Sequence, residues 1–336
     1  MKINFKALII ISYSLLNCCF GGKDRLPDVY FHTPIQKKPV EYKAKVPCAA
    51  KKRPYFRLPK LIDPSILLIC PNSYEFEAVY EALKDKYELK ACKRIKDYIF
   101  GNSTSSDKNL KDLQDKEIEP LYFFNINNVK TCLALCGQRT SETYNFSSKF
   151  QIVFKNLKTV ILYGICGCSD PDTNVGSIIF PSKYVEGVSP TTGQPAENTE
   201  VFLKNKSFYF KGKKEFEIET DTKKIINTFL MTFKERLTNI NCFININFTS
   251  EIFIKDDELV LQLKKKLNTT NICINTEDYT MAQNYKGITF IPIRAVSDHA
   301  GLEDPNEILE GKTQACEVLT QAALLTTNLI SKQKLK

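Results

Sequence analysis

The 336-residue chain has no tryptophan and only two histidines, His32 and His299. A histidine-built metal site is thereby excluded, and any aromatic that stacks on a ligand must be a phenylalanine or a tyrosine. No paired C-x-x-C spacing is present, which removes the usual zinc sites, so neither a metal nor a cofactor is expected. The sequence has no internal repeat. Its N-terminal apolar run, Ala7 to Leu16, is too short to span a bilayer. The fold signatures of nucleic-acid binders are also lacking. What remains is an ordinary globular composition, 43% hydrophobic and 25% charged, with enough chain to bury a sizeable core.

The net charge of +9 is unevenly placed. Residues 23–60 hold eleven Lys/Arg against three acids, Lys332, Lys334 and Lys336 add three more positive charges, and 61–331 is mildly acidic. The basic bias therefore belongs to the ends of the chain, not to a nucleic-acid surface. Residues 1–22 read as a secretory signal, with Lys2 and Lys6 ahead of the apolar run and small residues up to Gly21-Gly22. A lipoprotein reading with Cys18 modified, and a plain buried element, are the alternatives. After the signal comes a basic, proline-containing arm over 23–60, then the main domain at 61–331 and a basic tail at 332–336. Export predicts no membrane span after signal removal. It agrees with five N-x-S/T sequons, at Asn102, Asn145, Asn205, Asn247 and Asn268, and with ten cysteines left after the leader, an even number compatible with disulfides. Cys70, Cys132 and Cys273 sit in apolar runs where a buried thiol is an equal reading.

From residue 64 short apolar runs alternate with helical periodicity. The expected strands are 65–70, 131–136, 159–163, 241–248, 272–274 and 289–293. The expected helices follow Glu75, run through Phe150 to Leu157 and Leu259 to Leu267, and close the chain from Val318 to Leu329. This alternation predicts an α/β domain with a largely buried sheet. In such sheets the ligand lies beyond the carboxyl ends of the strands. The candidate segments are accordingly 72–77, 137–140, 164–167, 250–254, 276–277 and 294–298, which contain three carboxylates, Glu75, Glu277 and Asp298. Taken singly, each is also a suitable acid for a helix start.

Taken together, in this order, the segments resemble the purine nucleoside phosphorylase and methylthioadenosine/S-adenosylhomocysteine nucleosidase superfamily over about residues 64–331. The most specific portion is INTEDYTMAQNYKGITFIPIRAVSD, Ile274 to Asp298. It is similar to the superfamily's ribose-binding M-E segment, followed by a strand and an R-x-x-S-D signature. YGICG at 163–167, VGSII at 175–179 and SEIFI at 250–254 support the match. GQRT and YGICG also resemble plant bark and vegetative storage proteins. The resemblance implies a single domain with a central mixed β-sheet flanked by helices, and a homo-oligomer; with His32 in the arm and His299 beside Asp298, no histidine is expected to be donated across the interface.

The resemblance assigns roles residue by residue. Asp298 matches the acid that protonates the departing purine, and Glu277 the residue that binds the sugar hydroxyls. Glu75 matches the carboxylate that activates water, with Glu77 as the second choice, and Phe253 the base-stacking aromatic beside the Ile254 backbone. Ile165, Cys166, Gly167, Thr276, Arg294 and Ser297 complete the implied substrate contacts. The phosphate ligands of phosphorylases fall on Leu162 and Ile165, both apolar, leaving Arg139 as the one candidate anion contact. Water is therefore expected as nucleophile and phosphate is not expected as co-substrate. Three readings follow: a purine nucleosidase, a non-catalytic nucleoside-binding or storage-type relative, and a phosphorylase.

Overall fold

The computed structural model describes residues 63–92, 121–138, 140–187, 215–250, 257–300 and 305–332, all in the unit Phe56–Lys336. The expected leader, the arm and residues 333–336 lie outside the described residues. The described strands are β1 (Ile66–Cys70), β2 (Lys90–Cys92), β3 (Leu121–Ile126), β4 (Val129–Leu135) and β5 (Thr159–Cys168), then β6 (Ile178–Glu186), β7 (Glu215–Glu217), β8 (Cys242–Thr249), β9 (Ile272–Asn275) and β10 (Thr289–His299). The helices are α1 (Ser73–Lys84), α2 (Thr140–Val153), α3 (Thr220–Arg236), α4 (Asp257–Leu267), α5 (Asp278–Asn284) and α6 (Pro305–Ser331).

The strands form one mixed sheet, ordered β10-β6-β8-β9-β5-β1-β4-β3-β2, with helices packed against it. β10 also pairs with β5, so β5, β10, β6, β8 and β9 close into a ring. β1 lies parallel between β4 and β5, and all five of its residues are buried. Burial on both faces is why its sequence, ILLIC, reads as an unbroken apolar run. At the outer edge, β3 and β4 join through Asn127 and Asn128, with φ of 47° and 68°. Such a two-residue turn matches the twist of a hairpin, and asparagine accepts the left-handed backbone.

Two strands run further than their apolar stretches suggest. β5 was expected to end at Tyr163 and β10 at Ile293, yet they pair in parallel from Thr159 and Thr289 as far as Cys168 and His299, with an irregularity between Val296 and Asp298. Main-chain hydrogen bonding between the two carries them on through Gly164, Gly167, Arg294 and Ser297, and Cys166, Cys168 and Val296 are buried beside it. YGICG and RAVSD are thus strand segments rather than turns beyond strand ends. The helix expected over Phe150 to Leu157 is α2, which ends at Val153. Its inward face is partly polar: Ser147 is buried among Phe146 and Phe150 and donates to the Thr143 carbonyl at 2.7 Å. That buried hydroxyl hides the periodicity. β6, α3 and the outer strands β2, β3 and β7 were not foreseen.

Cys70, Cys132, Cys136, Cys166, Cys168, Cys242, Cys273 and Cys316 are all free thiols, so the even cysteine count is not expressed as disulfides among these eight. One sequon is also corrected: Asn247 has no exposed surface and its amide nitrogen donates to Asp278 at 2.6 Å, which leaves nothing for a glycan. Among the described residues no helix is long and apolar enough to cross a membrane.

Candidate active site

β1 ends at Pro71-Asn72, where α1 begins. The Asn72 side chain accepts from the Glu75 N–H at 3.0 Å, while Glu75 Oε2 accepts from the Asn72 N–H at 3.1 Å. This reciprocal cap satisfies two of the free donors at the helix start. The other carboxylate oxygen, Oε1, crosses to β5 and accepts from the Ile165 N–H at 2.7 Å. Glu75 is therefore both the helix-start acid and a carboxylate of the cavity. Burial, opposed by Arg294 and reinforced by Glu277, pushes its pKa up to about 8.

The turn from β9 into α5 supplies the second carboxylate. Asn275 Oδ1 accepts from the N–H groups of Glu277 and Asp278 at 3.2 and 3.0 Å and from the Thr249 hydroxyl at 3.0 Å. The turn is thus pinned to β8. Glu277 Oε2 accepts from Arg294 Nη2 at 2.7 Å, and Oε1 from the Thr276 hydroxyl. Arg294, 1% exposed, also donates through Nε to Asp278 at 3.1 Å, through Nη2 to Asp278, and through Nη1 to the Ile165 carbonyl at 3.0 Å. Burial raises the Asp278 pKa, and the Arg294 charge beside it opposes that rise. Such a buried charge cluster holds only when nearly every hydrogen bond is made. It leaves Arg294 as the brace of Glu277 more than as a ligand group. At Gly164 a Cβ would sit 2.2 Å from Arg294 Nη1, so this position of β5 has to be glycine.

The third carboxylate stands at the bulge of β10. Ser297 Oγ donates to Asp298 Oδ2 at 2.6 Å and lies 3.2 Å from the Cys166 carbonyl oxygen. Gly167 faces this acid, and a Cβ there would come within 3.1 Å of Asp298 Oδ1. Helix α6 is pressed onto the same place, since a Cβ at Gly311 would lie 1.8 Å from the Ser297 carbonyl oxygen.

One cavity is bordered by Glu75, Glu277 and Asp298 together with Ile165, Cys166 and Gly167. Thr276, Arg294 and Ser297 border it as well. Phe253, Ile254 and Arg139 lie outside the described residues. Glu77 is exposed and is not among the lining residues. His299 is not among them either; its Nε2 is 2.8 Å from the Thr173 carbonyl oxygen. The sequence reading missed Asp278, which braces Arg294, and the lining residues Ile308 and Lys312, while Asn72, Tyr74 and Gln138 lay in its candidate segments without an assigned role. An acid pair directly after a strand was a signal for Asp278, but its arginine lies sixteen positions on. The cavity can hold a polar, hydroxyl-bearing molecule against three carboxylates, one of which carries its proton into the neutral range.

No protein-family model matches the chain, and no curated protein sequence matches it. Solved structures do. The 5′-methylthioadenosine/S-adenosylhomocysteine nucleosidase of Campylobacter jejuni superposes with a TM-score of 0.54 at 16% identity, covering 80% of this chain and 99% of that one. A putative nucleosidase of the same kind from Borrelia burgdorferi, bound to adenine, gives 0.52 at 17%, covering 80% and 98%. Futalosine hydrolase of Helicobacter pylori gives 0.57 at 11%, covering 79% and 98%. At these identities the likeness establishes the fold.

Proposed function

We propose, from the premise that this chain has the fold of the nucleoside phosphorylase and nucleosidase superfamily, that it hydrolyses the N-glycosidic bond of a purine nucleoside with water as the nucleophile. The observation that carries this reading is the meeting of Glu75, Glu277 and Asp298, from three separate elements, around one cavity. The adenine bound in the Borrelia burgdorferi structure supports a purine.

In this reading each carboxylate has a separate task. A purine leaves poorly as an anion, so Asp298 delivers a proton to the departing base, with the Ser297 hydroxyl fixing its orientation at 2.6 Å. Positive charge then develops on the sugar. Glu277, held by Arg294 at 2.7 Å, accepts hydrogen bonds from the ribose hydroxyls and keeps the sugar in register. Glu75, once deprotonated, takes a proton from the attacking water. The balance is simple: water adds at the anomeric carbon as the carbon–nitrogen bond breaks, giving free sugar and base.

Phosphate is a poorer candidate for the nucleophile. Leu162 is fully buried in the core and Ile165 presents an apolar side chain, whereas a phosphate dianion needs converging donors and cations. The test is release of base from adenosine, inosine and methylthioadenosine with and without phosphate. The expected products are base and free sugar at a rate independent of phosphate, and Asp298→Asn should lower turnover by on the order of 10²-fold or more. Ribose 1-phosphate among the products would overturn the hydrolytic reading.

A further inference from the structure

The cavity is electrically divided. Its inner wall carries Glu75, Glu277 and Asp298, and the one cation there, Arg294, is consumed by Glu277, Asp278 and the Ile165 carbonyl. The outer wall is different. Lys312 and Ile308, one turn apart on α6, border it together with Tyr74 and Gln138. Lys312 is half-buried, with Nζ 5.7 Å from the centre of the Tyr74 ring, and no carboxylate of a described residue lies within ion-pair distance of it. Gln138 Nε2 is 3.5 Å from the Tyr74 hydroxyl, and burial keeps that phenol protonated by raising its pKa. Beside them Asn72, 9% exposed, has its Oδ1 occupied by the Glu75 N–H and its Nδ2 without a partner. The rim thus gathers one cation and several donors, with Glu75, which accepts from the Asn72 N–H, beside it.

We propose that this rim selects a nucleoside whose 5′ carbon carries an anion, either a phosphate monoester or a carboxylate. The proposal rests on the nucleosidase reading for the orientation of the ligand. With the base at Asp298 and the ring hydroxyls at Glu277, the 5′ carbon is the remaining position of a nucleoside that can bear a charged group. Lys312 reaches it as a point charge, which suits either anion. The Asn72 amide, the Gln138 amide and the Tyr74 hydroxyl supply the donors that such an oxygen cluster needs. Its place is fixed, because Gly311, the residue before it, packs without a side chain on the Ser297 carbonyl. The main chain that carries the lysine is thereby held at a set distance from the acid at the other end of the ligand.

The test uses the full chain and three adenosine derivatives of like size: the 5′-monophosphate, a 5′-carboxyethylthio derivative and the neutral 5′-methylthio derivative. Both kcat/KM for base release and binding by calorimetry are measured. One or both anionic derivatives should exceed the neutral one by on the order of tenfold or more, the scale of a charged hydrogen bond, and the two anionic arms separate phosphate from carboxylate. The preference should collapse in Lys312→Met, persist in Lys312→Arg, and shrink with added salt. Equal binding of all three by the unaltered protein overturns the proposal whatever happens to catalysis, as does a preference that Lys312→Met leaves intact. Preferential binding of an anionic derivative without base release would instead overturn the nucleosidase reading and leave the rim assignment standing.

Discussion

At the scale of single residues, the informative group is Glu75, whose pKa is pushed up to about 8 by burial. If it must be ionised to accept a proton from water, kcat/KM should climb about tenfold per pH unit below 8 and level off above, since one proton has to leave. A profile flat from pH 6 to 9 would remove Glu75 as the base, and Glu75→Gln should abolish turnover. The same shift has a consequence for stability. The folded protein keeps this proton up to about pH 8, whereas the unfolded chain loses it near the ordinary 4.5. Between those values the folded state binds more protons, so its stability falls as pH rises, by up to about 1.4 kcal/mol per unit from this group. Urea unfolding of Glu75→Gln should therefore show a flatter decline between pH 5 and 8 than the unaltered protein shows.

Among elements, the contact between α6 and β10 governs the site. An exposed helix interior gains about 0.8–1 kcal/mol when glycine becomes alanine. At Gly311 the sign should reverse, because the new methyl would lie 1.8 Å from the Ser297 carbonyl oxygen and both partners are main chain. Overpacking of this kind costs about 1–3 kcal/mol. Gly311→Ala should lower the urea midpoint and displace Ser297 and Asp298, with loss of activity. A gain in stability would show that the helix is free to slide. Gly164→Ala should behave similarly, since the neighbour that must yield is the guanidinium of Arg294, tied to Glu277 and Asp278.

At the scale of the molecule the fold holds the eight described cysteines as inert apolar side chains. Seven of the eight described thiols are buried and none is bridged, and for Cys70, Cys136 and Cys166 burial raises the pKa far above the ordinary value. An uncharged, inaccessible thiol neither attacks nor is attacked. A thiol reagent should label at least these eight in the denatured, unreduced protein. In the native state it should reach few of them, Cys316 first, because that one is half-buried. Fewer than eight labelled after denaturation would mean that some form disulfides after all.

The sequence by itself determined which residue types stand at the strand ends. The short apolar run ILLIC, followed at once by Pro71-Asn72, suits a strand buried on both faces, and acids that follow such runs stay near the carboxyl edge of the sheet. Glu75, Glu277 and Asp298 were legible for that reason, and the INTEDYTMAQNYKGITFIPIRAVSD segment carried the last two together. What only the tertiary structure decided depends on register. β5 and β10 extend through polar and glycine-rich stretches because each supplies the other's hydrogen-bond partners, a benefit that no local pattern records. The bracing of Glu277 by Arg294 and Asp278 and the arrival of Lys312 at the rim have the same origin. Those side chains meet because sheet pairing and the packing of Gly311 on Ser297 bring distant segments within a few ångströms. Their chemistry was written in the sequence, but their distances were set by the fold.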